Sequence, residues 1–66
     1  MVRRADVYDA LTLFWERTDE VARKVPRNAR TARQHRFQVW QSLDALARLG
    51  MAERTREGNT VWWRRV

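Results

Sequence analysis

Hydrophobic positions repeat at helical spacing in three stretches of the chain and then switch to alternation. Val7, Leu11 and Phe14, widened by Tyr8 and Trp15, predict a first helix over about residues 6–17 that forms one wall of the core, with Asp6 as its N-cap and Asp9 in its first turn. Val21, Ala22 and Val25 predict a short second helix over 19–25, opened by Thr18-Asp19-Glu20 as hydroxyl cap and acidic first turn and stopped by Pro26. Val39, Leu43 and Leu46 form the cleanest stripe, with Trp40 and Ala47 beside it. They predict a third helix over 34–49, and Gly50 follows where a left-handed cap residue belongs. Residues 26–33 read as a turn or a loose helical segment, and His35 reads as a cap or helix-start residue. After Gly50 the period becomes two. Residues 51–56 and 60–66 predict strands joined by the turn residues Glu57-Gly58-Asn59, a hairpin over about 51–65. On the second strand Val61 and Trp63 share one face and Trp62 and Arg64 the other, so one of the adjacent tryptophans is expected in the core. No strand is legible before the second helix.

This pattern predicts one domain over residues 1–66, mostly α with a C-terminal β-hairpin, an α+β class with three helices. A chain this short buries a thin core. Absence of cysteine excludes disulfides and thiolate metal sites, and a single histidine makes no metal site by itself. There is no paired-carboxylate site, nucleophile–base pair or glycine-rich phosphate loop, so an enzyme is not expected, and no cofactor or small-molecule ligand is implied. The sequence contains no apolar run long enough for a membrane span and no apolar leader; the expected location is the cytoplasm, in association with the nucleoid.

Charge sharpens the picture. The formal net charge is +6, and 13 of the 14 basic residues are arginine. No acidic residue lies between Glu20 and Asp44, a window that holds Arg23, Lys24, Arg27, Arg30, Arg33 and Arg36. The plain reading is a solvated arginine-rich face. The sharper one is a polyanion-binding surface, because the planar guanidinium fork pairs with phosphate. The predicted third helix adds Gln34, Phe37, Gln38, Gln41 and Arg48 on the side opposite its apolar stripe, where polar amides are placed to read a partner.

The stretch from Val39 to Arg65, V-x-x-x-L-x-x-L-x-x-x-G-M-A-E-R-x-R-E-G-x-x-V-W-W-R, resembles the winged helix-turn-helix DNA-binding family, above all its small prokaryotic, archaeal and phage or plasmid regulators. The first half differs from that pattern: a longer basic segment separates Val25 from the third helix, and the family's first strand is not visible. The resemblance implies a recognition helix in the major groove of double-stranded DNA and a wing on the adjacent groove or backbone. It implies base contacts from Gln34, Arg36, Phe37, Gln38 and Gln41, in which glutamine suits adenine and arginine suits guanine. Phe37 is open to three roles: contact with a thymine methyl, packing on the basic segment, or a subunit interface. Phosphate contacts fall to Arg27, Arg30 and Arg33, and in the wing to Arg54 and Arg56 beside the tip residues Gly58 and Asn59, with Arg64 and Arg65 as further candidates. Transcriptional regulation is the function implied, with a homodimer through the first helix or the aromatic strand as an option. Rival readings are an architectural or recombination-directionality factor that bends DNA, a protein-interaction winged helix, and RNA or single-strand binding through the tryptophans.

Overall fold

The computed structural model describes residues 1–66. In chain order the elements are α1 (Arg4–Ala10), β1 (Glu16–Arg17), α2 (Thr18–Lys24), α3 (Ala32–Arg48), β2 (Ala52–Glu57) and β3 (Thr60–Arg65). The strands form one antiparallel sheet in the order β1-β3-β2, an α+β arrangement of three helices on a three-stranded sheet. Trp63 is fully buried, packed among Val7, Leu11, Val21, Val39, Leu43 and Leu46. Each aliphatic side chain taken out of water there contributes about 1.5–3 kcal/mol.

α3 is the element where local pattern and fold agree most closely. Val39, Leu43 and Leu46 are buried as their spacing predicts, and His35 extends the stripe by one more turn. The helix starts at Ala32, earlier than the predicted Gln34, because Thr31 caps it: its hydroxyl accepts from the Gln34 N–H at 3.1 Å. His35 is therefore not the cap. It is buried, and its Nε2–H donates to the Ala22 carbonyl of α2 at 2.8 Å, tying the start of α3 to α2. At the other end Gly50 has φ +76°, its N–H donates to Ala47, and Met51 N–H donates to Leu46. These two bonds make a Schellman cap, and the left-handed conformation is why a glycine stands there.

The first helix is shorter than its periodicity predicts. α1 stops at Ala10, with Leu11 already extended, and Phe14 is 80% exposed instead of lining the core. Two features end it. Arg65 reaches across from β3 and donates to the Tyr8 and Asp9 carbonyls at 3.1 and 3.3 Å, capping the C-terminus while its guanidinium lies over the Tyr8 ring. The Thr12 hydroxyl accepts from Phe14 N–H, and the Thr12 carbonyl accepts from Arg65 N–H, turning the chain toward β1. Asp6 lies in the first turn, but the N-cap position is Arg3.

β1 pairs with β3, Glu16 opposite Trp63 and Arg17 opposite Trp62. α2 begins directly after it. Its N-cap is Arg17, whose backbone N–H donates to Glu20 at 2.9 Å; Thr18, predicted as the cap, instead accepts from the Trp63 indole N–H at 2.9 Å. The β2–β3 turn is the pair Gly58-Asn59, glycine at φ +61° and Asn59 at negative φ, the order that a type II′ turn needs. Of the adjacent tryptophans, Trp63 enters the core and Trp62 stays half-buried on the far face, as alternation predicts.

Candidate nucleic-acid interface

The buried stripe of α3 leaves the opposite side of the helix outward. Gln34, Phe37 and Gln41, three and four residues apart, form one exposed ridge from its first turn to just past its middle. Phe37 is 57% exposed and stacks on Trp40, with centroids 6.4 Å apart and planes at 16°. Arg33 and Arg36 flank this aromatic pair, and with Thr18 the four side chains border a shallow depression. On the other flank Arg4, Gln38, Gln41 and Ser42 border a second one.

Gln38 is less free than its neighbours. Its Oε1 accepts from the Val2 N–H at 3.0 Å, so the chain's first residues lie against α3 and hold this amide. The Gln41 side chain is exposed and makes no hydrogen bond within the chain. The N-terminal segment brings two cations that the sequence reading did not assign to the site, Arg3 and Arg4. The pair of adjacent arginines is the available signal, and the structure sets Arg4 beside Gln38 and Gln41 of the third helix.

The arginines divide into two groups. Arg17, Arg23, Arg48, Arg54 and Arg64 lie within 4 Å of carboxylates. Arg3, Arg4, Arg27, Arg30, Arg33, Arg36, Arg56 and Arg65 have no acidic partner, and all of these except Arg65 are exposed. The uncompensated cations therefore concentrate around the 26–36 segment, the α3 N-terminus and the beginning of the chain. Arg27 is also used to shape its loop, donating to the Ala29 and Arg30 carbonyls at 3.4 and 3.1 Å. With Arg23 and Arg36 it lines a depression between α2 and α3, floored by Ala22 and His35, with Asp19 at its edge.

The hairpin candidates separate. Arg56 folds over the turn, its Nε donating to the Gly58 carbonyl at 3.1 Å, and keeps its charge uncompensated beside the tip residues Gly58 and Asn59. Arg54 pairs with Asp44 of α3. Arg64 lies on the sheet face away from α3, paired with the cross-strand Glu53 at 3.0 Å and stacked over Trp15 at 4.3 Å. The structure thus places Gln34, Phe37 and Gln41 on one ridge of α3 with Arg33 and Arg36 beside Phe37, and it leaves Arg64 outside that group.

Two local features set the electrostatics of the flanks. Glu20 has its carboxyl held below the ordinary carboxylate value, mainly by the Arg17 backbone N–H. Asp44 is the one acid on the outward side of α3, and Arg48 and Arg54 both approach it. No helix is long and apolar enough to cross a membrane. Comparison with protein-family models, curated proteins and solved structures finds no match for the chain.

Proposed function

We propose that this chain is a winged helix-turn-helix module that binds double-stranded DNA, with α3 in the major groove and the β2–β3 hairpin as a wing on the neighbouring groove or backbone. The observation that carries the reading is the exposed Gln34–Phe37–Gln41 ridge with Arg33 and Arg36 beside it, neither of which has a carboxylate partner. A helix of this width fits the major groove, where base edges present a distinct donor and acceptor pattern. Guanidinium groups on its flanks meet the phosphate rails and fix register, while the amides meet base edges.

The strand β1 also supports the proposal. This two-residue strand lies between α1 and α2 and pairs with β3, consistent with the first strand that the resemblance expects and that the sequence alone does not display. In this reading Arg4, Arg27, Arg30 and Arg33 contact phosphates, Gln34, Arg36 and Gln41 contact bases, and Arg56 serves the wing. Transcriptional regulation is the function such a module performs at a specific site. The exposed Leu13 and Phe14, on the connection before β1, are the surface on which a second copy or another protein would pack.

Titration of the labelled chain with short duplex DNA, followed by backbone NMR, tests the proposal. Shifts are expected at residues 3–4, 27–41 and 54–59 and are expected to vanish at high salt. Shifts concentrated at 13–17 and 62–64, or no salt-sensitive binding, would instead favour a protein-interaction domain.

A further inference from the structure

We infer that the α3 ridge is built for A·T base pairs, with Phe37 reading the thymine methyl group and Gln34 or Gln41 reading adenine. The inference rests on the duplex-DNA reading above and narrows its target. Phosphates need cations and base edges need hydrogen-bonding groups, and the interface has both without Phe37. An apolar ring at the outermost line of the helix, 57% exposed, serves neither purpose and buries little against the fold. The major groove offers one apolar group among the four bases, the C5-methyl of thymine.

The neighbours agree with that assignment. Gln34 lies three residues before Phe37 and Gln41 four residues after it, on the same side of the helix. A glutamine amide matches the N6 and N7 edge of adenine, whose pairing partner carries the methyl. Gln38, the other amide nearby, already accepts from Val2 N–H and is the poorer reader. Trp40 lies beside Phe37 with ring centroids 6.4 Å apart and planes at 16°, an offset arrangement that leaves Phe37 57% exposed.

The test uses duplexes selected by the full chain from a randomised pool and then resynthesised with deoxyuridine in place of thymidine, which removes only the methyl groups. The wild-type chain is expected to lose about fourfold in affinity per contacted methyl. Phe37→Leu retains an apolar contact and keeps that loss; Phe37→Ala binds the two duplexes alike. Equal binding of thymine and uracil duplexes by the wild-type chain overturns the inference and leaves DNA binding standing. Failure to enrich any duplex overturns the DNA reading along with it. Tighter binding to single strands than to duplex, or a change of Phe37→Ala from dimer to monomer in sedimentation, also overturns it, assigning the aromatic pair to base stacking or to a subunit contact.

Discussion

Arg54 reaches from β2 to Asp44 on α3, its guanidinium 3.5 Å from a carboxylate that Arg48 approaches from within the helix at 3.1 Å. The contact fixes the hairpin against the proposed recognition helix, and it also neutralises two cations beside the proposed polyanion site. Asp44→Asn removes the charge and releases both arginines. The plot of log affinity against log salt is expected to steepen by up to about 2, with tighter duplex binding at low salt. Folding stability is expected to change by less than about 1 kcal/mol, because the arginine partners are exposed. Filter binding over a salt series checks the slope, and an unchanged slope places Arg48 and Arg54 away from the phosphates.

Arg33 and Arg36 stand beside the α3 ridge without an acidic partner, whereas Arg64 is on the far face of the sheet with Glu53 and Trp15. Single alanine substitutions should separate them. Arg33→Ala is expected to weaken all duplexes alike and to reduce the salt slope by about 1. Arg36→Ala is expected to do the same or, where it holds a guanine bidentately, to cost about 1–3 kcal/mol at one base position. Arg64→Ala should leave the slope unchanged and lower only the unfolding midpoint. A slope that falls for Arg64→Ala and not for Arg33→Ala would turn the proposed interface around to the other face of the molecule.

What could be read from sequence follows the range over which each interaction acts. In α3 the apolar stripe, the Gly50 cap and the outward ridge all depend on neighbours within one or two turns, and the same periodicity that marks Val39, Leu43 and Leu46 as buried marks Gln34, Phe37 and Gln41 as exposed. The hairpin is local in the same sense, set by Gly58 and by alternation along β3. α1 is different. Its pattern runs on through Phe14, yet the helix ends at Ala10 because Arg65, 57 residues from Tyr8, caps its carbonyls and β3 offers a pairing edge to Glu16 and Arg17. Thr18 looks like a cap until Trp63 claims its hydroxyl from 45 residues away. In the site, the bond between Val2 and Gln38 spans 36 residues. Which amide is free and which arginines flank α3 are therefore properties of the folded chain rather than of any local stretch.

Trp63 carries both the centre of the core and the link from sheet to α2. Trp63→Phe retains most of the ring but leaves the Thr18 hydroxyl without its indole donor; a loss of about 1 kcal/mol is expected. Trp63→Ala opens a cavity between the sheet and the helices and should cost about 3–5 kcal/mol, enough to unfold much of a domain this small. Trp62→Ala, on the half-buried far face, should cost clearly less. Urea unfolding followed by circular dichroism orders the three; a Trp62 variant as damaging as the Trp63→Ala variant contradicts the assignment of faces.

Glu20 gives the fold a pH-dependent element at the start of α2. Its carboxylate accepts from the Arg17 backbone N–H and lies 3.3 Å from the Arg17 side chain, and the first of these contributes most to holding its pKa below the ordinary carboxylate value. A carboxylate whose pKa is lower folded than unfolded stabilises fully above its unfolded pKa, and that contribution disappears as pH falls through the folded value. Glu20→Ala is therefore expected to melt below the wild-type chain at neutral pH, and the difference between them should shrink as the solution is taken below the usual carboxylate range. Glu20→Gln keeps an acceptor for the Arg17 N–H and should fall between the two at neutral pH. Melting curves over an acid series measure the gap; one that stays constant, or widens toward low pH, would show that Glu20 stabilises α2 without its charge.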